Sequence, residues 1–148
     1  MRDVPYAEWF AFIRQRWQVA GPLIDIFSGR GTIAAIARQN GLSAFSLDAS
    51  RAMLRGCAGQ CVQATALALP FGAGIAAACT ATNCSINYLL SPGELSEFFA
   101  ECHRVLRPGG LLALDYCPPE RAWALHNRTF EAPRAAVFFH TYNAEECL

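Results

Sequence analysis

Residues 23–34, Leu-Ile-Asp-Ile-Phe-Ser-Gly-Arg-Gly-Thr-Ile-Ala, constrain the fold more than any other stretch of this chain. Residues 23–27 are mostly apolar with little alternation, the pattern of a central strand covered on both faces. Gly29 and Gly31 let the backbone turn sharply and let a ligand approach with no Cβ in the way. The segment from Thr32 to Asn40 reads as a helix, so its first N–H groups point into the turn. That is a ready site for a polar or negatively charged group.

The rest of the chain can be placed around this unit. Upstream, Asp3 and Pro5 start a helix that runs to about Trp17, with Trp9, Phe12, Ile13 and Trp17 on one face. This helix either packs on the core or forms a lid bearing Tyr6 and Trp9, and packing is the commoner use of such a stripe. Downstream, Asn40-Gly41 ends the second helix, and Ala44 to Leu47 is a second strand stopped at Asp48. Ser50 caps a helix from Arg51 to about Cys57. Cys61 to Gln63 is a weak third strand, Ala64 to Leu69 a loop, and Ile75 to Thr80 a fourth strand. Asn83 to Leu90 is a loop or helical turn. Ser91-Pro92-Gly93-Glu94 combines a serine cap, a first-position proline and a glutamate three residues after the cap. The helix it opens is stopped by Arg107-Pro108-Gly109-Gly110, and Leu111 to Leu114 is a fifth strand. Strands alternating with helices imply a parallel sheet with crossover connections. After Cys117-Pro118-Pro119 the pattern weakens to a short helix, Glu120 to Leu125, and an apolar strand, Ala135 to Tyr142.

Bulk properties narrow the function classes. At 148 residues the chain is one domain's length, divided here into an N-terminal helix or lid (1–20), a core (21–117) and a short atypical tail (118–148). The 12 basic and 12 acidic residues cancel and form no run, which argues against a nucleic-acid or anionic-membrane partner. No stretch reads as a signal peptide or a membrane span. The seven cysteines contain no Cys-x-x-Cys pair, so neither a zinc site nor a disulfide framework is expected, and reduced thiols in a cytoplasmic protein are.

In open α/β sheets ligands gather at the carboxyl ends of the strands, and those ends here carry Gly29 to Gly31, Asp48, Thr65 and Asn83. A glycine turn followed about 20 residues later by an acid is the arrangement that holds a ribose. Alone it also fits a nicotinamide-dependent oxidoreductase. Two further features are Asp25, four residues before the first glycine, and the block Leu106-Arg107-Pro108-Gly109-Gly110. With these the chain resembles a class I S-adenosylmethionine-dependent methyltransferase of the small-molecule type. The resemblance covers roughly Tyr6 to Tyr116 in five ordered blocks: Asp25–Gly31, Leu47–Leu54, Ala68–Phe71, Asn83–Leu89 and Leu106–Gly110.

The resemblance implies a Rossmann-like three-layer αβα sandwich with a mostly parallel sheet whose C-terminal strands are short or missing. It implies S-adenosylmethionine as cofactor and S-adenosylhomocysteine as product. The backbone around Ser28, Gly29 and Gly31 would face the methionine portion, with Asp25 organising the turn. Asp48 would hold the ribose hydroxyls, Ala49 and Met53 would flank the adenine, and Thr65, Ala66 and Leu67 would border it. Asn83 would stand between donor and acceptor, and Tyr6, Asn83 and Tyr88 would position the acceptor. Methyl transfer from a sulfonium needs alignment more than a base. None of His103, His126 and His140 is expected to supply one.

Three positions depart from the family. Phe27 stands where its first glycine is usual and is expected to crowd the turn, Thr65 stands where an acid is usual, and no acid opens the fourth strand. Strand five is expected to expose an apolar edge, covered by residues 135–142 or by a second copy or another chain. A second hypothesis follows: a degenerate methyltransferase-like subunit that completes or regulates a partner. The oxidoreductase ranks below both.

Overall fold

The structure, a computed structural model, describes residues 4–117 and 140–142. Its elements are α1 (Tyr6–Arg16), β1 (Leu23–Ile26), α2 (Thr32–Gln39), β2 (Ala44–Asp48), α3 (Arg51–Leu54), β3 (Cys61–Gln63), β4 (Ala76–Ala81), a 3-10 turn (Ser85–Tyr88), α4 (Pro92–Val105), β5 (Leu106–Leu114) and β6 (His140–Tyr142). The strand order is β3-β2-β1-β4-β5-β6. The first five strands are parallel, and β6 runs antiparallel to β5, with Leu112 opposite Tyr142 and Leu114 opposite His140. This is the Rossmann-like sheet, with β6 at its far edge among the described residues. Three residues of β6 cover part of the β5 edge expected to be bare.

Two apolar layers hold the sheet between helices. On one face Ile24, Ile26, Cys79, Ala81 and Leu112 pack against Phe98, Cys102 and Val105 of α4. On the other, Leu23, Ala44 and Ala78 pack against Phe10 and Trp17 of the N-terminal segment and Ile33, Ala34 and Ala37 of α2. Strand β1, apolar except for Asp25, is therefore buried on both sides. Trp9, Phe10, Ile13 and Trp17 are all buried, so α1 packs on the core rather than lying over it as a lid. Strand β4, Ala-Ala-Ala-Cys-Thr-Ala, is buried at every position, its small side chains letting helices close on both faces.

Local signals explain most boundaries. Ser91 Oγ accepts the Glu94 N–H while Glu94 Oε2 accepts the N–H groups of Leu90 and Ser91, a complete capping box. Ser50 Oγ accepts from Met53 N at the start of α3. Helix α2 ends with Gly41 in the left-handed region at φ 76° and Leu42 N donating back to Ala37 O. Helix α1 begins at Tyr6 with Pro5 at its cap position, and the Asp3 cap lies outside the described residues. So do the expected helix at 120–125 and positions 135–139 of the expected final strand. Helix α3 stops at Leu54, earlier than expected, because Gly56 follows within one turn. The main difference is β5, which starts at Leu106 rather than Leu111. Arg107-Pro108-Gly109-Gly110 does end the helix, but the chain pairs with β4 at once, Leu106 opposite Ala76, and absorbs the extra residues as a register shift before Leu111 meets Ala78. Arg107 holds this corner by donating to Ala20 O and, at 2.7 Å, to Ile75 O.

Candidate functional site

The carboxyl ends of β1, β2, β4 and β5 converge on one rim, and two carboxylates organise its centre. Asp25, on the α2 side of β1, is buried; its Oδ2 accepts the Ala34 N–H at 3.3 Å and its Oδ1 accepts the Thr80 hydroxyl at 2.8 Å. It thereby satisfies a first-turn donor of α2 and ties β1 to β4. Burial, outweighing those two bonds, raises its pKa from 3.8 to about 7. Asp48, at the end of β2, accepts the Gly29 N–H through Oδ2 and the Ser50 N–H through Oδ1, both at 2.8 Å. Each oxygen keeps a further lone pair.

The two glycines of the turn have different tasks, and this corrects the expectation that both clear room for a ligand. Gly29, at φ 55°, has nothing within 4 Å of where a Cβ would stand and faces open space. Gly31, at φ 72°, would place a Cβ 2.5 Å from Ser46 Oγ and 2.6 Å from Cys57 Sγ, so it is needed for packing against β2 and the segment after α3. The N–H groups expected to face a ligand are used internally: Ser28 N donates to Leu47 O, Gly29 N to Asp48 and Gly31 N to Ser28 O. Ser28 Oγ, in contrast, is buried without a hydrogen-bond partner.

Phe27 does not crowd the turn. Its backbone is left-handed, φ 55°, the conformation a glycine would adopt, and its ring packs toward α4 with its centroid 6.0 Å from that of Phe98. The turn keeps its shape at the cost of backbone strain.

The remaining predicted residues divide into two groups. Ala49 and half-exposed Met53 stand on the open side of the rim beyond Asp48. Thr65 is exposed and accepts the Leu67 N–H at 3.2 Å, which removes that donor from ligand binding; Ala66 is buried in the core. Tyr6 is half-buried, its ring edge-on to Trp9 at 5.6 Å. Burial pushes its hydroxyl pKa up, and the charges of Asp25 and Asp115 push it further. Asn83 is exposed, and both it and half-buried Cys84 beside it are left-handed. Tyr88 is 77% exposed on the 3-10 turn and is not gathered with the others. His103 is exposed on α4.

Sequence reasoning missed Asp115. It follows β5 on the rim, is only 8% exposed, and accepts the Cys84 N–H at 2.9 Å through Oδ2. Its Oδ1 is buried without a partner, as is Ser85 Oγ. An acid immediately after a strand is the same signal that singled out Asp48. Asn87 closes this side, donating to Cys117 O at 2.7 Å and accepting Cys117 N–H at 2.9 Å. An apolar cavity of about 430 Å³, bounded by Ile86, Leu95, Phe99, Leu114 and Tyr116, lies on the α4 face of β5, away from the glycine turn. Among the described residues no group of three His, Cys, Asp or Glu side chains could hold a metal ion, and no helix is long and apolar enough to cross a membrane.

A parallel sheet ordered 3-2-1-4-5, with a glycine turn after β1 and an acid after β2, defines a Rossmann-like nucleoside-binding domain. The chain belongs to the methyltransferase-domain family, which it matches over residues 24–114. The cofactor of this class is S-adenosylmethionine. An S-adenosylmethionine-dependent methyltransferase from Clostridium acetobutylicum superposes with a TM-score of 0.67 at 20% identity, covering 77% of this chain and 51% of that one. DesVI of Streptomyces venezuelae gives 0.68 at 23% identity over 78% and 51%. The sugar N-methyltransferase KedS8 from a Streptoalloteichus species gives 0.66 at 26% identity over 78% and 49%. The chain thus spans about half the length of these proteins. A search of curated protein sequences returned no match.

Proposed function

We propose that this domain transfers a methyl group from S-adenosylmethionine to a small-molecule acceptor. The observation that carries the reading is the rim itself: an open glycine at Gly29, a buried unpartnered hydroxyl at Ser28 and a carboxylate at Asp48 with acceptor capacity left, in that order across β1 and β2. These fit a ligand with a polar amino-acid end and a ribose. Ser28 and the backbone beside Gly29 would hold the methionine portion, and the free lone pairs of Asp48 would accept from the ribose hydroxyls. Ala49 and Met53 would cover one side of the adenine, with Thr65 and the backbone N–H of Ala66 at its edge. Leu67 offers apolar contact only.

The sulfonium supplies an already activated methyl carbon. The chain's contribution is alignment and exclusion of water. Asp25 holds the turn and the start of α2 in place, and Tyr6 of α1 and Asn83 after β4 would border the acceptor. KedS8, one of the similar structures, is named as a sugar N-methyltransferase, and that supports a small polar acceptor here. Neither the partner-completing subunit nor the oxidoreductase finds support in the comparisons. The test is calorimetric titration of the chain with S-adenosylhomocysteine. Wild type is expected to bind in the micromolar range, and Asp48→Ala, which removes both the ribose acceptor and the Gly29 tether, to lose binding. A wild type that binds a nicotinamide dinucleotide more tightly sinks the reading.

A further inference from the structure

The rim carries an acid for which the cofactor has no use. With the nucleoside at β2 and the methionine portion at β1, as the methyl-transfer reading has it, the next strands in the sheet, β4 and β5, would border the acceptor. Asp115 stands there with one oxygen engaged by Cys84 and the other, Oδ1, buried and unpartnered. Side chains alternate along β5: Leu112 and Leu114 pack toward α4 and Leu111 toward the α1 and α2 side, so Asp115 follows on that second side, which Asp25 also faces.

Among the described residues no cation is paired with this carboxylate. The one ion pair among the described residues, Arg104 with Glu101 at 2.6 Å, is elsewhere. Arg38 is engaged by Ala44 O and Ala58 O, and Arg107 by Ala20 O and Ile75 O at the opposite end of the sheet. A buried carboxylate oxygen left without a donor is costly, and a ligand that brings an N–H relieves that cost. Tyr6, which feels the charge of Asp115, has its ring edge-on to Trp9 and offers a face suited to a cation.

We propose that Asp115 is the acceptor-binding carboxylate of this site and that it selects an amine as the methylated group. The proposal rests on the methyl-transfer reading above and names its substrate class. An ammonium ligand docks its N–H on Asp115 Oδ1 and sheds one proton to water. The nitrogen lone pair then forms the bond to the methyl carbon as the carbon–sulfur bond breaks with its electron pair left on sulfur. Positive charge passes from sulfur to nitrogen, beside the carboxylate, which stabilises it as it develops. An alcohol acceptor develops the same charge but must also lose its only proton to a base. A hydroxyl leaves Asp115 with a neutral hydrogen bond in place of an ionic one.

The experiment compares matched probes on the full chain. Cyclohexylamine and cyclohexanol are titrated at neutral pH, with and without saturating S-adenosylhomocysteine, following amide and indole shifts by NMR. Wild type is expected to bind the amine about tenfold or more tightly than the alcohol, the range of a charge-assisted bond. In Asp115→Asn, which keeps an oxygen for the Cys84 N–H, the preference falls below about twofold while S-adenosylhomocysteine affinity stays within about twofold. Equal binding of the two probes by wild type, or a preference that survives in the variant, overturns the proposal. So does loss of S-adenosylhomocysteine binding in the variant, which would assign the carboxylate to the cofactor. If wild type binds no S-adenosylhomocysteine, the methyl-transfer reading falls, and the probes on the free protein still decide whether Asp115 holds an amine.

Discussion

Phe27 offers a direct measurement of backbone strain beside the site. Its φ of 55° costs an L-residue about 1–2 kcal/mol relative to glycine. Its half-buried ring against Phe98 returns roughly 1–2 kcal/mol of apolar burial. Phe27→Ala removes the ring and keeps the strain, so it should lower stability by about 1–2 kcal/mol. Phe27→Gly removes both. Against the relieved strain stands glycine's greater unfolded-state entropy, about 0.5–1 kcal/mol, so the glycine variant should be more stable than the alanine variant by about 0.5–1 kcal/mol. In an ordinary strand the order is the reverse. Urea unfolding with equal m-values in the three proteins reads the difference as a shift of midpoint. An alanine variant at least as stable as the glycine variant would show that residue 27 is not left-handed in solution, and the account of this turn would fail. Because the ring already points away from the turn, S-adenosylhomocysteine affinity should change by less than about threefold in Phe27→Gly.

Asp25 and Gly31 give two further tests. Between pH 3.8 and about 7 the folded state holds a proton on Asp25 that the unfolded state has released, so the stability this group contributes is full below pH 3.8 and is lost as pH rises to about 7. Asp25→Asn should flatten that slope in a series of unfolding curves, and an unchanged slope would refute the assignment. Gly31→Ala should destabilise the fold by about 2 kcal/mol or more, since it adds left-handed strain to contacts of 2.5 and 2.6 Å with Ser46 Oγ and Cys57 Sγ. A melting temperature equal to wild type would show that the turn can shift without loss.

Elements whose signals are local were legible in the sequence. The double-sided burial of β1, the left-handed stop at Gly41 and the box at Ser91 and Glu94 each depend on residues within one or two turns. Strand β5 was legible only in its second half, because the pairing of Leu106 with Ala76 depends on a neighbour 30 residues away and overrides the turn signal of Pro108 and Gly109. The site shows the same division. Asp25, Gly29 and Asp48 could be placed from spacing, but only packing separates open Gly29 from filled Gly31. Phe27 misled because its identity says nothing of its φ. Asp115 was passed over because its meaning depends on which strand lies next to β4, and sheet order is not written in any one stretch of chain.

Two ties described at the β4–β5 corner, Asp115 to Cys84 and Asn87 to Cys117, join the turn after one strand to the exit of the next. They act as two rungs of a ladder laid across the end of the sheet. Loops on this rim therefore cannot be exchanged singly. A graft that replaces residues 83–88 alone strands the acceptors and donors of 115–117, and the converse graft does the same in the other direction. Remodelling this end of the sheet means transplanting both segments as one cassette.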